Sequence, residues 1–251
     1  MKDRYSFASL TRISDLKNKP FTVEALPKDD WSLGDYVLGN VTQPYPKLRL
    51  ELPDGRMMEL VRGDLVVGAL GVRHATLEAT GTWKRIGSDG LMHLLTGAGL
   101  LGKMTSKSVF LAKLVELKYQ GHLLLEGQKT NMKDFVPPVP DTTFDIPVIL
   151  VVGTSMSAGK TTAACILIRQ LKRLGLSVVG AKVTGAGRYQ DILAMRDSGA
   201  DQVFDFVDAG LGTSICSQEE FLRSLKVLLN LIGGAGAEVA VIEIGASPLE
   251  P

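Results

Sequence analysis

Residues 146–174 constrain this chain more than any other stretch, because three unlike pieces follow one another without a break. Residues 146–152 form a continuous apolar run. Residues 153–159 are mostly small. Residues 160–174 repeat Ala164, Ile168 and Leu171 at helical spacing and stop before Gly175. Such a run is expected of a strand buried on both faces of a parallel sheet. The periodic segment is expected to be a helix with a glycine stop. Strand, tight loop and helix in that order commit the segment to a strand–helix crossover unit.

The same grammar continues to the end of the chain. Strands are predicted over 177–183, 202–206 and 238–244. Helices are predicted over 190–198 and over 218–231, the latter closed by Gly233 and Gly234. This alternation implies a parallel sheet with right-handed crossovers. The chain ends at Pro251, soon after an expected buried strand, so this domain is expected to be either minimal or cut short.

Upstream the grammar differs. Residues 137–147 carry Pro137, Pro138, Pro140 and Pro147. Proline fixes φ and removes a donor, so an extended linker is expected. Before it, short apolar stretches alternate with turn signals. Strands are predicted over 35–41, 47–52, 57–61, 64–68, 75–83, 90–95 and 121–125, with 111–117 readable as a helical turn or a strand. Pro53-Asp54-Gly55 marks a hairpin turn. The expected class is therefore α/β. It comprises a β-rich barrel or sandwich domain of unknown role over 1–136, a linker over 137–147, and a parallel-sheet P-loop NTPase domain over 148–251.

Composition excludes several functions. The 28 Lys and Arg against 27 Asp and Glu leave a net charge of +1, which gives no reason to expect a nucleic-acid or acidic-membrane surface. No signal peptide is read at the start, and the apolar windows are too short for a membrane span. The two cysteines, Cys165 and Cys216, make neither a disulfide framework nor a metal site. A reducing cytoplasm is the expected compartment.

The chemistry concentrates at Gly153-Thr154-Ser155-Met156-Ser157-Ala158-Gly159-Lys160-Thr161-Thr162. Backbone N–H groups at a helix N-terminus meet a polyphosphate with positive partial charge. Gly159 allows close backbone approach. Lys160 supplies an ammonium for the β- and γ-phosphates, and the Thr161 hydroxyl is a candidate Mg²⁺ ligand. The usual Walker A motif puts four residues between its glycines; here five separate Gly153 from Gly159. The bland alternative is an ordinary strand-to-helix turn with an exposed lysine.

With its extra residue, Gly-Thr-x-x-x-x-Gly-Lys-Thr resembles the loop of dethiobiotin synthetase and of the related cobyrinic acid amide synthases. It lacks the early loop lysine of the partition ATPases. A looser resemblance is to a P-loop family linked to N-acetylation of D-glutamate. Both cover only about residues 146–250. The synthetase resemblance implies a role for Lys182 in holding phosphate and substrate, although Val183 stands where that family has proline; the alternative is a solvated lysine at a strand end. Thr184 and Arg188, in the Gly-rich loop 184–191, are candidate contacts to phosphate or an anionic substrate. Asp191 is a candidate for supporting Mg²⁺ through water or for capping a helix from Ile192; Asp205 and Asp208 compete for the metal role. Glu243 corresponds to the family's Glu-Gly-x-Gly segment and is a candidate metal partner, the alternative being a carboxylate turned to solvent.

His74, His93 and His122 show no metal spacing and read as surface or locally hydrogen-bonded groups. Trp31 and Trp83 read as packing, Cys165 as a small apolar residue, and Cys216 as no nucleophile. The resemblance implies an ATP-dependent enzyme using Mg²⁺. It would pass the γ-phosphoryl to a small-molecule, carboxylate-type acceptor, with Lys160 and Lys182 catalytic. Two alternatives stay open: a nucleotide-hydrolysing switch acting through the β-rich half, and an acyltransferase-like protein that holds an acyl carrier's phosphate. No Asn-Lys-x-Asp signature is present, which favours ATP over GTP. The expected assembly is a homodimer without nucleic acid or membrane.

Overall fold

The structure is a computed structural model and describes residues 4–75, 78–109, 113–153 and 158–245. The chain divides into two compact units, Met1–Phe135 and Val136–Pro251.

The first unit contributes strands β1 (Tyr5–Phe7), β2 (Thr22–Glu24), β3 (Tyr36–Gln43), β4 (Leu50–Glu51), β5 (Met57–Met58), β6 (Leu65–Leu70), β7 (Val72–His74), β8 (Ala79–Thr82), β9 (Leu91–Leu94), β10 (Leu100–Lys107), β11 (Glu116–Leu125) and β12 (Gln128–Lys129). Ten of them form one sheet, and because β6 pairs with both β3 and β10, strands β6, β3, β11, β9 and β10 close a ring. The β6–β10 pairing is parallel; the other four in the ring are antiparallel. Val37, Val41, Val66, Met92, Leu101 and Leu117 are buried together as part of its core. Close packing leaves no space for a side chain at Gly68, where a Cβ would lie 2.3 Å from the Gly99 carbonyl oxygen. The remaining pair, β4 and β5, makes the hairpin marked by Pro53-Asp54-Gly55. Gly55 takes the left-handed φ of +83°, and its N–H donates to the Leu52 carbonyl at 2.8 Å.

The second unit contributes β13 (Val148–Val151), α1 (Lys160–Arg173), β14 (Val178–Thr184), α2 (Tyr189–Asp197), β15 (Gln202–Asp205), α3 (Gln218–Gly233) and β16 (Val239–Ile244). Its strands lie in the order β13-β16-β14-β15, and each pairing is parallel. Gly175 ends α1 with φ +85°. The Leu176 N–H reaches the Leu171 carbonyl and the Gly175 N–H the Lys172 carbonyl, a Schellman closure that satisfies two carbonyls of the last turn. Ser217 and Glu220 close a reciprocal capping box on α3. Residues within 137–147 form no helix or strand. Thr142 is nevertheless tied to Asn230 of α3 through both its N–H and its hydroxyl.

Two expectations are corrected. The chain is not the expected α/β class with a parallel-sheet P-loop NTPase domain: among the described residues sixteen strands accompany three α-helices, and the larger sheet is mixed in direction, so the chain is mainly β. The cause is the first unit, whose twelve short strands and 3-10 turns include no α-helix among the described residues. Nor is β13 buried on both faces. It lies at the end of its sheet, and Val148 and Leu150 are exposed while Val151 is buried. An apolar run reports hydrophobicity, not position in the sheet.

Candidate functional site

Parallel pairing brings four strand ends to one edge of the second unit's sheet. Register aligns Val151 with Glu243, Glu243 with Lys182, and Lys182 with Asp205. The row therefore carries an acid, a base and an acid on neighbouring strands. All three are buried: Glu243 is 3% exposed, Lys182 7% and Asp205 0%. Ionised groups are seldom buried without partners, and partners are present. The Lys182 ammonium forms an ion pair with Asp191 in the first turn of α2. Glu243 accepts a hydrogen bond from the Thr161 hydroxyl at 2.9 Å. Asp205 accepts the Val207 N–H at 2.8 Å. The solvated alternatives for Lys182 and Glu243 are thereby excluded.

The loop before α1 meets this row. Of the predicted phosphate-binding residues, Gly153, Ala158, Gly159, Lys160, Thr161 and Thr162 are described; Thr154, Ser155, Met156 and Ser157 lie outside the described residues. A Cβ on Gly153 would stand 2.9 Å from Lys160 Cγ, so the chain at Gly153 packs directly on the lysine stem. Gly159 is the N-cap of α1, with φ +79° and no side-chain cap, and the first turn holds no acidic residue. The leading amides of α1 thus have no capping side chain from the helix's own entry residue. Lys160 is 8% exposed, so the bland reading of an exposed lysine also fails.

The second loop differs in detail from expectation. Helix α2 begins at Tyr189 with Arg188 as its N-cap, so Asp191 pairs with Lys182 rather than capping. Arg188 is exposed and Thr184 half-buried. The β14–β16 register shifts between Lys182 and Thr184; such a bulge re-aims the residues around it.

In the loop after β15 the sequence reading singled out Asp208 and Cys216 but not Ser214. The Gly185 N–H donates to the Ser214 hydroxyl at 2.8 Å. The Ser214 N–H donates back to the Gly185 carbonyl at 3.1 Å, and Gly187 donates to the Gly212 carbonyl at 3.2 Å. Ala186 and Thr213 form an antiparallel bridge. A signal was present: in a parallel sheet every strand's C-terminal loop emerges on the same edge. Cys216 lies nearby. Burial, aided by Glu220, pushes its thiol up to about 11.

In the first unit His122 and His93 are buried, not at the surface. The Tyr119 hydroxyl and His122 Nδ1 lie 2.6 Å apart, and Trp31 packs against both rings. Among the described residues no three His, Cys, Asp or Glu side chains gather as a metal centre. No helix among them is long and apolar enough to cross a membrane. Compared with known proteins, the chain matches no family model and no curated protein.

Proposed function

We propose that the chain binds Mg-ATP through residues 153–162 and passes the γ-phosphoryl to a small, carboxylate-type acceptor. The observation that carries this reading is the hydrogen bond from Thr161 to buried Glu243, beside buried Lys160 at the start of α1, whose N-cap is Gly159. A hydroxyl and a carboxylate are hard oxygen donors, which suits Mg²⁺. Lys160 and Lys182 against Glu243, Asp191 and Asp205 leave the cluster one negative charge in excess, which a divalent cation would reverse.

Each residue then has a task. The α1 amides and Lys160 hold the β- and γ-phosphate oxygens. Thr161 and Glu243 hold the metal, which when bound neutralises phosphate charge. Lys182, ion-paired with Asp191, faces the charge that develops on the transferred group. An acceptor carboxylate oxygen bonds to the γ-phosphorus as the bond to the β–γ bridging oxygen breaks, giving an acyl phosphate and ADP. The absence of a guanine signature supports adenine, and two free cysteines support the cytoplasm.

Calorimetric titration with ATP, with and without Mg²⁺, tests this. Mg²⁺-dependent binding should vanish in Lys160→Ala. In Thr161→Ala and Glu243→Gln it should weaken and lose most of its Mg²⁺ dependence. Absence of binding by the unaltered chain refutes the reading.

A further inference from the structure

We propose that Ser214 is a positioning residue that sets Lys182 through Gly185; the role rests on the phosphoryl-transfer reading above. Two glycines wall the Lys182 stem. A Cβ at Gly185 would stand 3.3 Å from Lys182 Cε, and one at Gly245 would stand 2.9 Å from the same atom. Gly185 has φ +119°, a left-handed region that β-carbons disfavour. The Ser214 main-chain N–H donates to the Gly185 carbonyl at 3.1 Å, as one bond of the Ala186–Thr213 bridge, and the Ser214 hydroxyl accepts the Gly185 N–H at 2.8 Å.

The loop that presents Ser214 is itself braced. Asp208 accepts the Asp205 N–H at 2.8 Å, and Leu211 donates to the Phe206 carbonyl at 3.0 Å. From α3, the Ser224 hydroxyl reaches the Ala209 carbonyl at 3.2 Å. Beyond it the chain enters the α3 capping box at Ser217. A frame anchored at a strand end and at two places on a helix presents one hydroxyl to one glycine. Support of this kind fixes a reactive group to within a fraction of an ångström. Sequence spacing alone would assign Ser214 only to a turn.

The test separates position from activity. Reductive methylation with formaldehyde, read by peptide mass spectrometry, measures how accessible each lysine is. In Ser214→Ala the Gly185 N–H loses its acceptor, and methylation of Lys182 should rise about threefold or more while Lys226 is unchanged. Ser214→Thr keeps the hydroxyl and should return Lys182 to its original rate. Phosphate release from ATP should fall about tenfold in Ser214→Ala with the Mg-ATP Kd within about twofold, and recover in Ser214→Thr. An unchanged Lys182 methylation rate in Ser214→Ala overturns the proposal whatever happens to turnover. So does a parallel loss of turnover and of ATP affinity. If the unaltered chain binds no ATP, the phosphoryl-transfer reading fails and the methylation pattern alone decides whether Ser214 sets Lys182.

Discussion

Replacing Asp35 with Asn should destabilise the first unit by about 2–4 kcal/mol, because it takes the charge from a buried carboxylate on which several donors converge. Asp35 has no exposed surface. One carboxylate oxygen accepts the Ser32 N–H at 2.6 Å and lies 3.0 Å from the Lys129 ammonium. His122 Nε2 stands 3.3 Å from that oxygen, near enough to feel its charge but off the hydrogen-bond direction. The other oxygen accepts from Asn131 Nδ2 at 2.8 Å. Asn131 cannot turn to oblige, since its Nδ2 also donates to the Leu33 carbonyl and its Oδ1 accepts the Lys133 N–H. An asparagine amide at 35 therefore points its N–H₂ at a donor in either orientation, and Lys129 loses its buried counter-charge.

The assay is unusually clean. Both tryptophans, Trp31 and Trp83, lie in the first unit, and the three α-helices among the described residues lie in the second. Tryptophan fluorescence in urea thus follows the first unit, and far-ultraviolet dichroism weights the second and serves as an internal control. With a urea dependence of about 1–3 kcal/mol per molar, the fluorescence midpoint should drop by about 2 M while the dichroism transition stays put. A pH series sharpens the test. Burial pushes the Asp35 carboxyl up, but contacts from His122, Asn131, Lys129 and the Ser32 amide outweigh it and hold the group below 3.8. The unfolded chain therefore takes up this proton first as pH falls. Its contribution is complete above 3.8 and is lost on acidification through the folded value. Asparagine does not titrate, so the gap between the two chains should be flat above pH 3.8 and narrow by up to about 1.4 kcal/mol per unit below it. A gap under about 1 kcal/mol at neutral pH, or one that does not narrow in acid, refutes the reasoning.

Burial also lowers the pKa of His93 from 6.5, and its Nδ1 accepts the Met104 N–H at 3.3 Å. The neutral ring is the folded form, so this contribution is full above pH 6.5 and is lost as pH falls through the folded value. His93→Gln should flatten that part of the fluorescence-monitored stability curve. Gly68→Ala sets a Cβ 2.3 Å from a backbone carbonyl, whereas at Gly39 the nearest atom is the flexible tip of Met92. Urea unfolding should show Gly68→Ala as the more damaging change, by about 1–3 kcal/mol. Ser217→Ala removes the α3 capping box and should cost the second unit about 1 kcal/mol, seen in dichroism and not in tryptophan fluorescence.

Local structure was legible where one chemical signal dominated. Ala164, Ile168 and Leu171 with Gly175 fixed α1 and its end, because periodicity and a left-handed glycine are both local properties. Strand β10 was missed, since Gly97, Gly99 and Gly102 punctuate its start like a loop. Those glycines instead mark close approaches: a Cβ on Gly102 would meet the backbone at Thr82 and Trp83 at 2.9 Å. Class failed for a related reason. The helices after residue 147 give strong periodic signals, while twelve short strands give weak ones, and a reading weighted by signal strength undercounts strands.

The candidate site was legible as a set of residues but not as a row. Lys160 and Thr161 stood out in the Gly-Lys-Thr-Thr loop, and Lys182 and Glu243 at the ends of apolar runs, yet nothing in a sequence states that Glu243 lies opposite Lys182, or Lys182 opposite Asp205. Register decides that, and register follows from the packing of whole strands. The alternatives left open for Lys182 and Glu243 each assumed a lone residue at a strand end. Once the strands are in register, each becomes the other's neighbour. Burial then stops being an argument against charge, since every buried group in the row has a partner within reach. Ser214 lies one step further out. Its importance is visible only after Lys182 is placed and the wall that holds it is traced to Gly185, so a residue acting through a glycine's backbone leaves no side-chain pattern to read.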